Sequence, residues 1–356
     1  MNCCIECFRD SEIRAIIRSS GKKGDCDFCP SKNVFVYDVN FSPNHIADMI
    51  ISLLDTYAVS DSVDAKPLKE ALRDDWDIFN SGAEAIQMLT QRLCTPDYLE
   101  NDDLFTKNVL IAKIADSAFL DQFCIVKGHS WQDFSDSIKY KNRFHNDMFC
   151  TESFNSFLQA VAKKYTMGAL FYRARISPDK NGFLSNEMGT PPKEKRNAGR
   201  INPAGIPALY LSSDCETVLH EVRATTHDYI TIGEFRLQRD IEVVNLSGFS
   251  NTSPFLYQGE IEKYAANRKV FQEIALELAK PLRRNDSPLE YLPTQYIAEF
   301  IKSQGYDGVE YASTLRQGGH NLAVFNEELF ECTSVNTIEI SKIVYNTSPE
   351  LSANLL

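Results

Sequence analysis

Over the first 165 residues, apolar side chains recur mostly three and four positions apart, the spacing of a helix with one buried face. Ile13, Ile16 and Ile17 predict a short helix, and Ile46, Met49, Ile50, Leu53 and Leu54 a longer one, opened by Ser42-Pro43 as N-cap and first-turn proline. Ser81-Gly82-Ala83-Glu84 has capping-box spacing ahead of Ile86, Leu89 and Leu93, and Ser130-Trp131-Gln132-Asp133 starts another helix. Phe154, Phe157, Leu158, Val161 and Tyr165 predict a helix ending near Gly168, and Val34 to Val39 reads as a strand. Residues 1–165 are therefore expected to form a mainly helical domain.

From Ala169 the period shortens to two. Leu170, Tyr172 and Ala174 alternate with Phe171, Arg173 and Arg175, which places both arginines on one face of a strand. A Lys-, Gly- and Pro-rich loop runs from Ser177 to Pro207, and loops of that length are commonly lids or binding loops. Leu209-Tyr210-Leu211-Ser212 is a short strand, followed by a helix carrying Glu221. Strands are expected over Tyr229–Leu237, Ile241–Leu246, Asn321–Phe325 and Asn336–Tyr345, with helices near Ile261–Leu278 and from Pro293 to a stop at Gly305. Strands interspersed with helices over residues 166–345 make the chain α+β, with its boundary where the periodicity changes.

Composition adds limits. A chain of 356 residues, 43% hydrophobic and 24% charged, has the material for two cores. A net charge of -12 argues against a general affinity for nucleic acid or anionic membrane. The start lacks the apolar run of a secretory signal, and no stretch is apolar enough for a membrane span, so the expected compartment is the cytoplasm. In that reducing setting the ten cysteines point to metal binding or burial before disulfides. Cys4-x2-Cys7 and Cys26-x2-Cys29 have the spacing of a four-cysteine zinc site, with Cys3 as an alternative to Cys4. Four thiolates leave no open coordination position, so the expected zinc is a structural staple.

Chemistry concentrates between Leu170 and His227, where an arginine (Arg173), a tyrosine (Tyr210) and a carboxylate (Glu221) lie on successive elements. Ser213-Asp214-Cys215-Glu216 has capping-box spacing, which assigns Glu216 to the helix start and leaves Glu221 free. His129 and His145 lack an arginine at ribonuclease spacing and read as surface residues, and no Gly-rich phosphate loop is present.

The series Phe171-Tyr172-Arg173, Gly199 to Pro207, Leu209 to Ser212, Glu216-Thr217 through Glu221-Val222-Arg223, and Tyr306-Asp307-Gly308-Val309 through Ser313 and Asn321 resembles the RES domain. That family is named for an arginine, a glutamate and a serine, and is seen as the toxin of bacterial toxin–antitoxin pairs. The resemblance implies an ADP-ribosyltransferase-like fold for residues 166–345, with Arg173, Glu221 and Ser313 as the triad and Tyr210 beside them. It implies NAD as substrate, cleaved at the nicotinamide–ribose bond by hydrolysis or, with inorganic phosphate, by phosphorolysis. Arg200 joins Arg173 as a ligand of the diphosphate, and Asn321 closes the pocket. The first half resembles the HEPN/RES-type extension of longer members. The partners implied are an antitoxin or other regulatory protein, and a homo-oligomer is open. Two alternatives stand beside this reading: an ADP-ribosyltransferase acting on protein or nucleic acid, and a non-catalytic zinc-containing interaction module.

Overall fold

The computed structural model describes residues 1–80, 82–94, 103–257, 260–280 and 287–344. Its contacts divide into two units, Met1–Val161 with Gly248–Ile274, and Ala162–Ser247 with Ala275–Leu356. The contiguous division expected at residue 165 differs in two ways. Ala162–Tyr165 is a strand of the second unit, and the segment from Gly248 packs in the core of the first.

In the first unit β1 (Asn2–Cys4), β2 (Lys23–Gly24) and β3 (Val34–Asp38) form an antiparallel sheet in the order β1-β3-β2. A second small sheet, β4-β6-β5, joins β4 (Tyr57–Val59), β5 (Lys66–Pro67) and β6 (Asn108–Ile111). These strands are too short to show a period of two, so the unit is less purely helical than its sequence suggests. The helices around them bury the expected faces, such as Ile13 and Ile17 of Ser11–Ser19 and Ile46, Ile50, Leu53 and Leu54 of His45–Leu54. Some starts are corrected. Asn44 caps His45–Leu54, accepting from the Ala47 N–H, so Ser42-Pro43 precedes the helix. Ser81 lies outside the described residues, and Gly82 is the N-cap of Ala83–Leu93. The helix expected to reach Gly168 is Thr151–Leu158, because the following residues leave it to pair at a sheet edge.

An aromatic chain fills this unit. Phe134 packs on Phe149, Phe149 on Phe154, and Phe154 on Phe249, whose ring stacks on Phe271 at 4.2 Å. Aromatic burial of this kind dominates core energetics. Phe249 and Phe271 lie more than ninety residues along the chain from Phe154, which is why sequence order misassigns them.

The second unit is built on one sheet. Its strands are β7 (Ala162–Tyr165), β8 (Leu170–Ser177), β9 (Leu209–Ser212), β10 (Tyr229–Leu237), β11 (Ile241–Asn245), β12 (Gly308–Ala312), β13 (His320–Val324) and β14 (Phe330–Glu339). The order is β14-β10-β8-β9-β13-β12-β11-β7, antiparallel except for the parallel pair β11–β12. On one face Phe171, Leu209, Leu211, Phe235, Leu322, Val324 and Phe330 form the core. On the other, Ala174 and Ile230 meet Val218 of the helix Cys215–Glu221, with Tyr172, Leu219, Val222 and Ile232 packed around them. That packing fixes the position of Glu221 at the helix's end. The last strand lies earlier than the Asn336–Tyr345 expected, since it follows β10 through nine register pairs ending at Phe330.

Candidate functional site

The sheet parts between β8 and β9, which share a single register pair, Tyr172 with Ser212. An arginine side chain bridges the gap: Arg173 Nη1 donates to the Tyr210 carbonyl at 3.1 Å. Its Nε–H is buried and has no hydrogen-bond partner. Burial, reinforced by the neighbouring charge of Arg175, pulls the Arg173 pKa down to about 10. A buried cation with a vacant donor is the arrangement that an anion completes.

Glu221 faces the same opening. Its Oε1 accepts from Ser313 Oγ at 2.7 Å and from Asn321 Nδ2 at 2.8 Å, and Ser212 Oγ donates to the Asn321 amide oxygen at 2.6 Å. The Ser313 hydroxyl also accepts from the N–H groups of Leu315 and Arg316, which fixes its proton toward the carboxylate. Two strands and a turn thus aim one carboxylate, whose other oxygen makes no hydrogen bond among the described residues. The acid expected to close the helix start does something else. Asp214 is the N-cap, accepting from the Thr217 N–H at 2.9 Å, and exposed Glu216 pairs with Arg316 at 2.8 Å, outside the cavities around Glu221.

Three adjoining cavities make up the cleft. The central one, about 360 Å³, is lined by Arg173, Arg200, Tyr210, Glu221, Tyr311 and Asn321 among others. A second of about 280 Å³ shares Arg200, Glu221 and Asn321 with it and adds Arg223. A third of about 200 Å³ shares Arg173, Gly199 and Tyr210 with the central one and no lining residue with the second. Among the described residues that line one or more of these cavities, Glu221 is the one acid.

Residues 170–343 match the model of a family described as RES domain. This part of the chain is a RES domain. No curated protein matches the chain. Among solved structures, a chain of the crystal structure of the M. tuberculosis MbcT–MbcA toxin–antitoxin complex is matched at 15% identity and a TM-score of 0.31, covering 52% of this chain and 92% of that one.

Within the RES domain, Arg173, Tyr210, Glu221 and Ser313 meet around the cleft, and Tyr210, Arg200 and Asn321 each line it while bonded to neighbouring groups. The Tyr210 hydroxyl donates to Asn202 Oδ1 at 2.7 Å and accepts from the Ile201 N–H, so the ring is the part left for a ligand. Burial pushes that phenol up to about 12. Arg200 donates to the Leu278 carbonyl at the end of the helix Ile261–Ala279, where a cation complements the helix dipole. It lines the cleft already partnered. Asn321 lines the central cavity and donates to Glu221. Tyr291 and Tyr311 line the central cavity and were missed by sequence reading. Tyr311 alternates with core residues on β12 and gave no signal, and Tyr291 precedes a helix whose Thr294 and Gln295 pin the backbone of Arg200, Gly199 and Asn202.

In the first unit the Sγ atoms of Cys4, Cys7, Cys26 and Cys29 lie within 4.8 Å of one another. Cys4 approaches Cys7 at 3.8 Å and Cys29 at 3.4 Å, and Cys7 approaches Cys26 at 3.5 Å. Zinc–sulfur bonds of about 2.3 Å in a tetrahedron give an edge of about 3.8 Å, so the four thiols fit such an ion. Cys3 points to the Tyr37 carbonyl and is no part of the set.

Proposed function

We propose that the RES domain degrades NAD by breaking the nicotinamide–ribose bond, with Glu221 as the carboxylate that stabilises the oxocarbenium-like transition state. The observation that carries this reading is the single, doubly hydrogen-bonded acid in the cleft. Two carboxyl groups flank the scissile bond in ordinary glycosidases because the leaving oxygen needs a proton. Nicotinamide departs as a neutral base and needs none, so one acid matches this substrate. Ser313 and Asn321 hold one oxygen of Glu221 and point the other at the ribose, an arrangement organised before charge develops. Arg173 offers its vacant Nε–H to a diphosphate oxygen, and the Tyr210, Tyr291 and Tyr311 rings give the nicotinamide and ribose flat apolar walls. An ADP-ribosyltransferase-like fold accords with a ligand held where a sheet parts.

In this reading the Cys4, Cys7, Cys26 and Cys29 set holds a structural zinc that fastens the start of the chain. The chemistry it supplies is folding energy alone, since all four positions are filled by sulfur. Loss of NAD arrests a cell, which suits a toxin or a defence enzyme.

The test is the purified full chain with NAD, with and without inorganic phosphate, followed by analysis of nicotinamide and the ribose product. Hydrolysis yields ADP-ribose, phosphorolysis its phosphorylated counterpart, and label retained on a macromolecule would mark a transferase. Glu221→Gln is expected to lower kcat at least about a hundredfold with the fold unchanged. Undiminished turnover in that variant removes Glu221 from the chemistry and the proposal with it.

A further inference from the structure

The cleft continues beyond Arg173. The cavity on that side is lined by Thr190, Lys195, Arg196, Asn197 and Asn202, and shares Arg173, Gly199 and Tyr210 with the cavity of Glu221. No acid lines it. Its two further cations are mounted on an ordered loop. Thr190 is held by Glu327 through its N–H and its hydroxyl, both at 2.7 Å, and the Arg196 carbonyl accepts from the Gly205 N–H. Arg196 uses its Nε on the Pro191 carbonyl at 2.9 Å, which steadies the guanidinium and leaves the terminal nitrogens. Lys195 makes no ion pair among the described residues and is exposed.

We propose that this cavity takes the adenosine end of the dinucleotide, and that Lys195 and Arg196 bind a phosphate on its ribose 2′ position, making NADP a substrate at least as good as NAD. The inference rests on the reading of the Glu221 cleft as the cleavage site. With the nicotinamide ribose at Glu221 and the diphosphate at Arg173, the remaining half of the molecule falls on the far side of Arg173. There NAD presents a neutral hydroxyl, which gains little from two cations, whereas NADP presents a dianion. Dinucleotide sites that prefer NAD place a carboxylate against this hydroxyl, and those that accept NADP place an arginine. This cavity has the second set. Inorganic phosphate has the same charge chemistry, but a phosphate here would be separated by Arg173 from the bond at Glu221.

The experiment compares kcat/KM for NADP and NAD in the full chain and in a Lys195→Ala/Arg196→Ala variant. Independently of turnover, it compares binding of 2′,5′-ADP, 5′-ADP and inorganic phosphate to the Glu221→Gln chain. The expected NADP-to-NAD ratio is one or more, falling about tenfold in the double variant. The 2′,5′-ADP is expected to bind about tenfold tighter than 5′-ADP, an advantage lost when Lys195 and Arg196 are also replaced. Cleavage of NAD without NADP, or a ratio unmoved by the double variant, overturns the inference and leaves the NAD reading intact. Inorganic phosphate binding as tightly as 2′,5′-ADP also overturns it. If neither dinucleotide is cleaved but 2′,5′-ADP keeps an advantage dependent on Lys195 and Arg196, the cavity assignment stands and only the cleavage reading falls.

Discussion

A buried, unsatisfied N–H costs stability in the free protein, and half-buried Arg173 carries one at its Nε, without a partner among the described residues. Leaving a buried donor unpaired costs about 1–3 kcal/mol, against which Arg173 sets one hydrogen bond to Tyr210. Arg173→Met keeps the stem's packing and removes the charge. It is therefore expected to leave the thermal midpoint unchanged or raise it by about 2 °C while abolishing NAD turnover, the signature of a residue kept for function. A fall of more than about 5 °C would instead make Arg173 a structural strut across the gap between β8 and β9. The same scale explains what sequence could and could not reveal. Strand alternation and helix spacing drew attention to Arg173, Tyr210 and Glu221, but alternation puts Arg175 on the same face as Arg173, and the family resemblance chose Arg173 and Glu221. Ser313 was visible only through the family resemblance, since its partner Glu221 is ninety-two positions away. Asn321 and Arg200 were recognised as important, but whether an amide holds a ligand or another side chain is settled by register and by a distant helix end.

At the scale of elements, the helix Cys215–Glu221 carries on its last residue the carboxylate proposed to act on the ribose, so its fixed start bears on the position of that group. Asp214 caps it and is also gripped by Arg316, which belongs to the turn presenting Ser313. Burial raises the Asp214 pKa, but the bonds from Thr217, Ser213 and Arg316 outweigh it and hold the carboxyl below its ordinary value. A depressed folded-state value contributes stability that is complete above the unfolded pKa and is lost as pH falls through the folded one. The helix and the Ser313 turn are thus expected to loosen together below about pH 4. Asp214→Asn preserves a good N-cap but removes the charge pairing with Arg316. The variant should lack at neutral pH the increment that the wild type loses in acid, and so show a weaker acid-induced transition, read by far-UV circular dichroism against pH. An unaltered acid profile would mean that the Asp214–Arg316 pair does not couple the helix to the turn. The strands that sequence did not reveal, β1, β2 and β4 to β7, are short or edge pieces whose pairing partners supply what their own pattern lacks.

At the scale of the molecule, the periodicity change near residue 165 marked a real change of architecture but not the division of the core. Phe249, Tyr264 and Phe271 are wholly buried in the first unit, against Phe154, Trp76 and Phe157 among others. A cut at residue 165 would strand three large aromatic side chains, so truncation is a poor way to ask what the first unit contributes. The cysteine set gives a cleaner one. Cys26→Ser/Cys29→Ser in the full chain removes one of the two knuckles and leaves the aromatic core untouched. The wild type is expected to carry one zinc per chain by elemental analysis, and the variant none. Because four sulfurs fill the coordination sphere, the metal's effect should appear as a lowered thermal transition, with NAD turnover kept at temperatures where the variant is folded. A wild-type chain that binds no zinc from a zinc-containing buffer would remove the staple from the structure. A folded variant without turnover would give the cysteine set a role in the reaction, which all-sulfur ligation argues against.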